Sequence, residues 1–256
     1  MKSEAPSLRT AAGFMAEYAS TLLGSGATCI RLEKNLGRIA AAYALKVETT
    51  IMPRHIHLHV SDDCDTVNTI VSTAHSPISF RIIALLSALS WKIADGAVSL
   101  EGARRDYKAI VRSDRQNGTA LLALVALANA SFCRLFGGDV TAMAIVAVAT
   151  MAGFRLRCTL LRRHVDMRVA VFAAAFVSSV LGATGLLFHL GTTPEVAPGT
   201  SVLYLVPGIP FLNSFSDMIY RHYICALSRL MDAIVLTGCL SAGLCAGMAL
   251  MKAGMF

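Results

Sequence analysis

The chain has 256 residues, of which 55% are hydrophobic and only 15% charged, with a net charge of +7. Soluble domains carry about 25% charged and about 45–50% apolar residues, so the average composition points away from a wholly soluble protein. The charge is unevenly placed: residues 1–118 hold 14 of the 23 Lys and Arg and 11 of the 16 Asp and Glu, and residues 119–256 hold 9 and 5. Two parts of different solvent preference therefore meet near Asn117-Gly118. The expected fold class is an α-helical polytopic membrane protein of five transmembrane helices (117–256) behind an N-terminal α+β cytoplasmic domain (1–116). The first 21 residues include Lys2, Glu4, Arg9 and Glu17 and lack a continuous apolar run, so no signal peptide is expected there.

In chain order, the spacing predicts a helix from Leu8 to Leu23, ended by Gly24-Ser25-Gly26, and an amphipathic helix from Thr28 to Ala42. Val47–Met52, His55–Ser61 and Thr66–Thr73 read as strands separated by Pro53-Arg54 and by Asp62-Asp63-Cys64-Asp65. Helices follow over Ser79–Ala94 and from Ser99 to near Arg115, with Gly96 in the turn. Such a domain is large enough for its own core.

Five apolar segments follow: Thr119–Phe136, Val140–Phe154, Val169–Leu190, Ser201–Phe215 and Met231–Met251. A span needs about 20 apolar residues; the third and fifth meet this and the fourth is short. Arg104, Arg105, Lys108, Arg112 and Arg115 precede the first segment. Arg155, Arg157, Arg162, Arg163 and Arg168 lie between the second and third, and Arg221 and Arg229 between the fourth and fifth. Cytoplasmic loops carry the Lys/Arg excess, so the N-terminus is expected in the cytoplasm and the C-terminus in the periplasm of a bacterial inner membrane. The basic excess then reflects orientation and contact with membrane lipids, with no nucleic acid as partner. Gly243 and Gly247 form a weak G-x-x-x-G signal for close helix packing.

The most informative stretch runs from Tyr204 to Asp217. Pro207 and Pro210 remove two backbone donors, and Gly208 lies between them. A helix broken at membrane depth is tolerated only where protein or a watery cavity receives its backbone groups, and transporters place binding sites at such breaks. Asn213 and Asp217 are four apart and share a helical face. The bland alternative is a simple kink, with Asp217 at the cytoplasmic end paired to Arg221.

This stretch resembles the signature of the threonine/serine exporter family, Pro-Gly-x-Pro-x-x-Asn-small-x-x-Asp. Pro207, Gly208, Pro210, Asn213, Ser214 and Asp217 match it, as does Arg229 twelve residues after the Asp. Ser25-Gly26-Ala27 followed by Arg31, Glu33, Arg38 and Ala40 resembles the family's mark in the N-terminal domain, and the Ile78–Ala94 and Ser99–Ile110 helix pair is similar as well. The chain departs from the pattern at Arg221 and Ala226, where the family favours Gly. The resemblance implies a secondary transporter for a small carboxylate-bearing metabolite, threonine/serine or a succinate-like dicarboxylate. It implies the larger module of a split, two-subunit form, completed by a separate smaller multi-span membrane subunit. It also implies substrate or translocation roles for Pro207, Gly208, Pro210, Asn213, Asp217 and Arg229, with Ser25, Gly26, Ala27, Arg31, Glu33 and Arg38 as the motif of the cytoplasmic domain.

Other signals weigh less. His55, His57 and His59 alternate on one strand face, a pattern more often solvated than metal-bound, and no metal or cofactor is expected. Gly137-Gly138-Asp139 lacks the spacing of an intramembrane aspartyl protease, and H-E-x-x-H, G-x-S-x-G and Walker A motifs are missing, so no enzyme is expected. The seven cysteines show no C-x-x-C and read as reduced, buried small residues. The competing function is a non-transporting membrane sensor or scaffold acting through its cytoplasmic domain.

Overall fold

A computed structural model describes residues 7–73, 77–113 and 118–253. Arg115 and the end of the chain after Ala253 lie outside them. The elements in order are α1 (Leu8–Gly24), α2 (Cys29–Ala42), β1 (Lys46–Ile51), β2 (His55–Ser61), β3 (Thr66–Ser72), α3 (Phe80–Ala94) and α4 (Leu100–Arg112). Then come α5 (Gly118–Leu135), α6 (Val140–Arg162), α7 (Met167–Gly182), α8 (Thr184–Leu187), α9 (Val196–Thr200), a 3-10 turn (Leu203–Leu205), α10 (Gly208–Ile219) and α11 (Tyr223–Ala253). The described residues form two compact units, one of 7–113 with Ile209–Leu230, the other of 118–208 with 231–253. The sequence alone divides the chain once, near Asn117; packing assigns the stretch 209–230 to the same unit as the sheet.

In the first unit an antiparallel sheet of order β1-β2-β3 backs onto the helices. Its alternation follows the pleat: Ile56, Leu58 and Val60 are buried, while His55, His57 and His59 face outward. Among the described residues no group of three His, Cys, Asp or Glu is placed to hold a metal ion. The helices start where short polar side chains can take up free N–H groups. Ser7 caps α1, Ser79 caps α3 and Ser99 caps α4. The core gathers Phe14, Met15, Tyr18 and Leu22 of α1 with Leu32, Leu36 and Ile39 of α2 and Leu86, Leu89 and Ile93 of α3. The basic helix α4 joins this core through Tyr107, whose ring meets Phe14 edge-on at 6.1 Å.

The second unit is helical. Among the described residues four helices are long and apolar enough to cross a membrane: Gly118–Leu135, Val140–Arg162, Met167–Leu187 and Tyr223–Lys252. A fifth crossing exists only if the bent pair Val196–Leu205 and Gly208–Ile219 counts as one span. The second segment is longer than predicted, reaching Arg162, and the last begins at Tyr223 rather than Met231. Small residues set the packing distance. A Cβ on Gly243 would lie 2.5 Å from the Phe172 carbonyl oxygen, and one on Gly247 would strike Ser179 Oγ, so this G-x-x-x-G seats α11 on α7.

Two expectations need correction. The break falls at Val206-Pro207, and Pro210 sits inside the first turn of α10, where the missing N–H has no intrahelical acceptor to lose. The cysteines are all free, but only Cys29, Cys133 and Cys225 are buried; Cys64 and Cys245 are exposed. Cys64 lies in the polar turn before β3, and Cys245 is on α11.

Candidate functional site: a clasp on the Ser-Gly-Ala turn and a polar cluster in the helical unit

The two motifs that sequence treats as separate meet within the first unit. Gly24 ends α1, and the chain turns through Ser25-Gly26-Ala27 into α2. Gly26 has φ +93°, and a Cβ there would press on Ile78 at 3.0 Å, so both backbone and space favour glycine. Three successive carbonyls in this turn each receive a donor from a different segment. Ser79 N–H donates to Ser25 O at 3.0 Å, Asn213 Nδ2 to Gly26 O at 2.8 Å, and Arg229 Nη2 to Ala27 O at 2.8 Å.

Asp217 completes the clasp. Its side chain is fully buried. Thr28, at the N-cap of α2, makes no side-chain cap bond; instead the Cys29 N–H donates to Asp217 Oδ1 at 2.9 Å. A carboxylate at a helix N-terminus is favoured by the free N–H groups and the helix dipole. Asp217 Oδ2 lies 3.0 Å from Arg229 Nη1, an ion pair whose angles fall outside hydrogen-bond geometry. The partner of Asp217 is thus Arg229, twelve residues on, and not Arg221. Asn213 and Asp217 share a face of α10, as their spacing requires, and that face holds the turn.

The surrounding residues are in register with this clasp. Ser214 Oγ donates to Ala226 O at 2.7 Å. His222 N–H donates to Asp217 O at 2.8 Å, and His222 Nε2 lies 3.4 Å from Glu33 Oε2. Buried Cys225 donates to Ile51 O at 3.3 Å. The Cys29 thiol is pushed well above the ordinary thiol range, first by its hydrogen bond with the Cys225 thiol, then by burial and by the Asp217 carboxylate. Arg221 adopts φ +66°, a left-handed conformation that glycine takes without cost.

Of the other predicted residues, Arg31 and Arg38 stand outside the clasp, on the α2 face toward Trp91 and Tyr220. Pro207 is buried just before α10, and Gly208 opens the helix.

The second unit holds a polar cluster that sequence reasoning missed. Asn129 of α5 is buried, and its Nδ2 lies 2.6 Å from Thr150 Oγ1 of α6, 3.1 Å from Thr200 O and 3.4 Å from Ser201 O. Ser178 Oγ of α7 is 3.0 Å from Tyr204 Oη and donates to Ala149 O at 3.2 Å. The interrupted stretch from α9 through the 3-10 turn is therefore held by Asn129 of α5 and Ser178 of α7, with Thr150 of α6 fixing the Asn129 amide. Its signal in the sequence was a single Asn within an otherwise apolar run, a residue that lipid disfavours unless it is paired inside the bundle.

A mostly helical chain with four to five candidate spans, one interrupted and lined by buried polar groups, has the architecture of a membrane transporter. The family model ThrE, described as a threonine/serine exporter, matches residues 13–251. The chain belongs to the threonine/serine exporter family, a family of transmembrane transporters. It is 24% identical over 247 residues to the probable succinate transporter subunit YjjP of Klebsiella aerogenes, covering 93% of this chain and 92% of that one. It is 34% identical over 117 residues to the probable succinate transporter subunit YjjP of Escherichia coli (strain K12), a match spanning 44% of this chain and only 45% of that relative. No solved structure matches the chain.

Proposed function

We propose that this chain is the larger subunit of a secondary exporter of a small carboxylate-bearing metabolite, a succinate-like dicarboxylate or threonine/serine. It works in the bacterial inner membrane with a separate, smaller multi-span subunit. In this reading the N-terminus is cytoplasmic and the C-terminus periplasmic; the Arg-rich stretches before α5 and between α6 and α7 support it, with the bent pair counted as the fifth crossing. The observation that carries the proposal is the interrupted stretch 196–207, to which Asn129 of α5 and Ser178 of α7 bond, Asn129 itself being fixed by Thr150 of α6. A spanning element that abandons regular helix exposes backbone groups able to meet a polar solute, and hydroxyl and amide side chains beside it can exchange their internal bonds for bonds to a carboxylate.

Pro207, Gly208 and Pro210 act in translocation by fixing where that interruption ends and α10 begins. Asn213, Asp217 and Arg229 act through their hold on the Ser25-Gly26-Ala27 turn, so that the turn and α10 move together. The names of the two relatives support a dicarboxylate and a subunit partner. Efflux of succinate and of threonine from cells expressing the chain with the smaller subunit tests the proposal. Export that depends on both polypeptides and falls in Gly208→Leu and in Asn213→Ala is expected. Export indifferent to both substitutions would remove the proposed role of α10.

A further inference from the structure

Arg31 and Arg38 belong to the motif of the first unit, yet the clasp uses neither. Together with Lys34 they occupy positions i, i+3 and i+7 of α2 and so share one helical face, spread over about 10 Å of helix. This face forms one wall of a cleft of about 430 Å³ whose other walls include Trp91 of α3 and Ser216 and Tyr220 from α10 and the turn after it. Volumes of this order suit small-molecule sites. Among the described residues Arg31, Lys34 and Arg38 line it and no acidic side chain does; Glu33, the acidic residue of the motif, is turned to His222.

The cations are held in place by groups other than counter-charges. The Arg38 guanidinium lies over the Trp91 ring, 4.1 Å from its centroid, and Lys34 Nζ lies 5.9 Å from the Tyr220 centroid. Both distances fall within the range of cation–π attraction. Arg38 Nη1 also donates to Asn35 Oδ1 at 3.0 Å and to Ser90 Oγ. Asn35 is itself buried and fixed by the bond from its Nδ2 to Tyr18 Oη at 2.9 Å. Among the described residues neither Arg31, Lys34 nor Arg38 has a carboxylate partner. Three uncompensated positive charges, two of them steadied on aromatic faces, make a preorganised receptor for an anion. Their spread along the helix favours a ligand with two separated acidic groups over a compact one, and the guanidinium fork matches the planar oxygens of a carboxylate as it does those of a phosphate.

We infer that the Arg31–Lys34–Arg38 cleft binds a small organic dicarboxylate, at a site distinct from the interrupted stretch in the helical unit. The preference for a dianion stands on the cleft alone; the choice of succinate as the probe rests on the transport proposal. Trp91 is the chain's one tryptophan, so intrinsic fluorescence of the full, detergent-solubilised chain reports this cleft. Titration with succinate should give a saturable change in Trp91 emission that weakens as salt is raised. Neutral succinamide should give none, and acetate should bind at least tenfold more weakly. Arg31→Gln and Lys34→Gln, on exposed side chains, should each weaken succinate at least fivefold with thermal stability unchanged. Arg38→Gln should weaken it more, at some cost to folding. No response to succinate, or an unchanged response in Arg31→Gln and Lys34→Gln, would overturn the site. An equal or stronger response to inorganic phosphate would overturn the dicarboxylate assignment. Efflux without any Trp91 response would remove the cleft and leave the transport proposal standing; a response without efflux would do the reverse.

Discussion

Removing Asp217 tests the clasp most severely. Its carboxylate has no exposure, accepts the first N–H of α2, and faces Arg229 at 3.0 Å. Deleting one partner of a buried ion pair costs about 3–5 kcal/mol, because the other charge is stranded. Loss of a helix cap adds about 1 kcal/mol. The Arg229 side chain is 21% exposed, so water relieves part of the stranded charge, and a figure just below the combined range of about 4–6 kcal/mol, about 3 kcal/mol, is the working figure for Asp217→Ala. At about 2–4 °C per kcal/mol for a chain of this size, the apparent Tm should fall by about 6–12 °C. Asp217→Asn, which keeps an oxygen for the Cys29 N–H, should fall by less. Combining Asp217→Asn with Arg229→Gln removes both charges together, so the double variant should be at least about 1.5 kcal/mol more stable than the sum of the single effects predicts. Thermal unfolding of the purified chain, Asp217→Ala, the two single variants of the pair and their double in one detergent gives the comparison. Additivity within about 0.5 kcal/mol, the behaviour of independent sites, would refute the pairing.

Further outcomes follow from particular contacts. Arg221→Gly relieves a left-handed backbone at φ +66° and should raise stability by about 1 kcal/mol, visible as a higher Tm with unchanged transport. Gly243→Leu forces a side chain against the Phe172 carbonyl and should cost at least about 1–3 kcal/mol, seen as lost α7–α11 cross-linking and poor recovery in detergent. Asn129→Leu strands Thr150 and the Thr200 carbonyl, a cost of about 1–3 kcal/mol per buried group; efflux should fall while the first unit keeps its sheet signal in circular dichroism. Asp139 is held below the usual carboxylate range by the Ala142 N–H that it caps, then by Thr192. A depressed folded pKa means that its contribution is present above the unfolded value near about 3.9 and is lost as pH falls through the folded value. Hydrogen exchange at Ala142 and Thr192 should therefore quicken only below about pH 4, and Asp139→Asn should blunt that change.

Much of the fold was legible because its signals are local. Period-two alternation gave β2 to the residue, and Ser79, Ser99 and the glycines after α1 and α3 punctuate the helices where polar caps and turns must lie. The break before α10 was legible from two prolines three apart, but not its exact place, since a proline tolerated in a first turn looks in sequence like one that ends a helix. The clasp was legible only in its parts. Gly26 and Asn213, or Ala27 and Arg229, are separated by about two hundred residues, and nothing local tells that two carbonyls of one turn wait for donors from the far end of the chain. The polar cluster was less visible still: only Asn129 stands out in its apolar run, while Thr150 and Ser178 are unremarkable in small-residue helices and acquire meaning only when packing sets them beside Asn129 and Tyr204.

The central claim is transport of a small carboxylate by this chain with a second subunit. Counterflow of labelled succinate into proteoliposomes holding this chain and the smaller membrane subunit tests it most directly. Saturable accumulation is predicted, driven by internal unlabelled succinate, absent with either polypeptide alone and reduced at least tenfold by Asn129→Leu. Equal accumulation in liposomes lacking this chain, or none for succinate, threonine or serine with both subunits folded and present, would contradict the account.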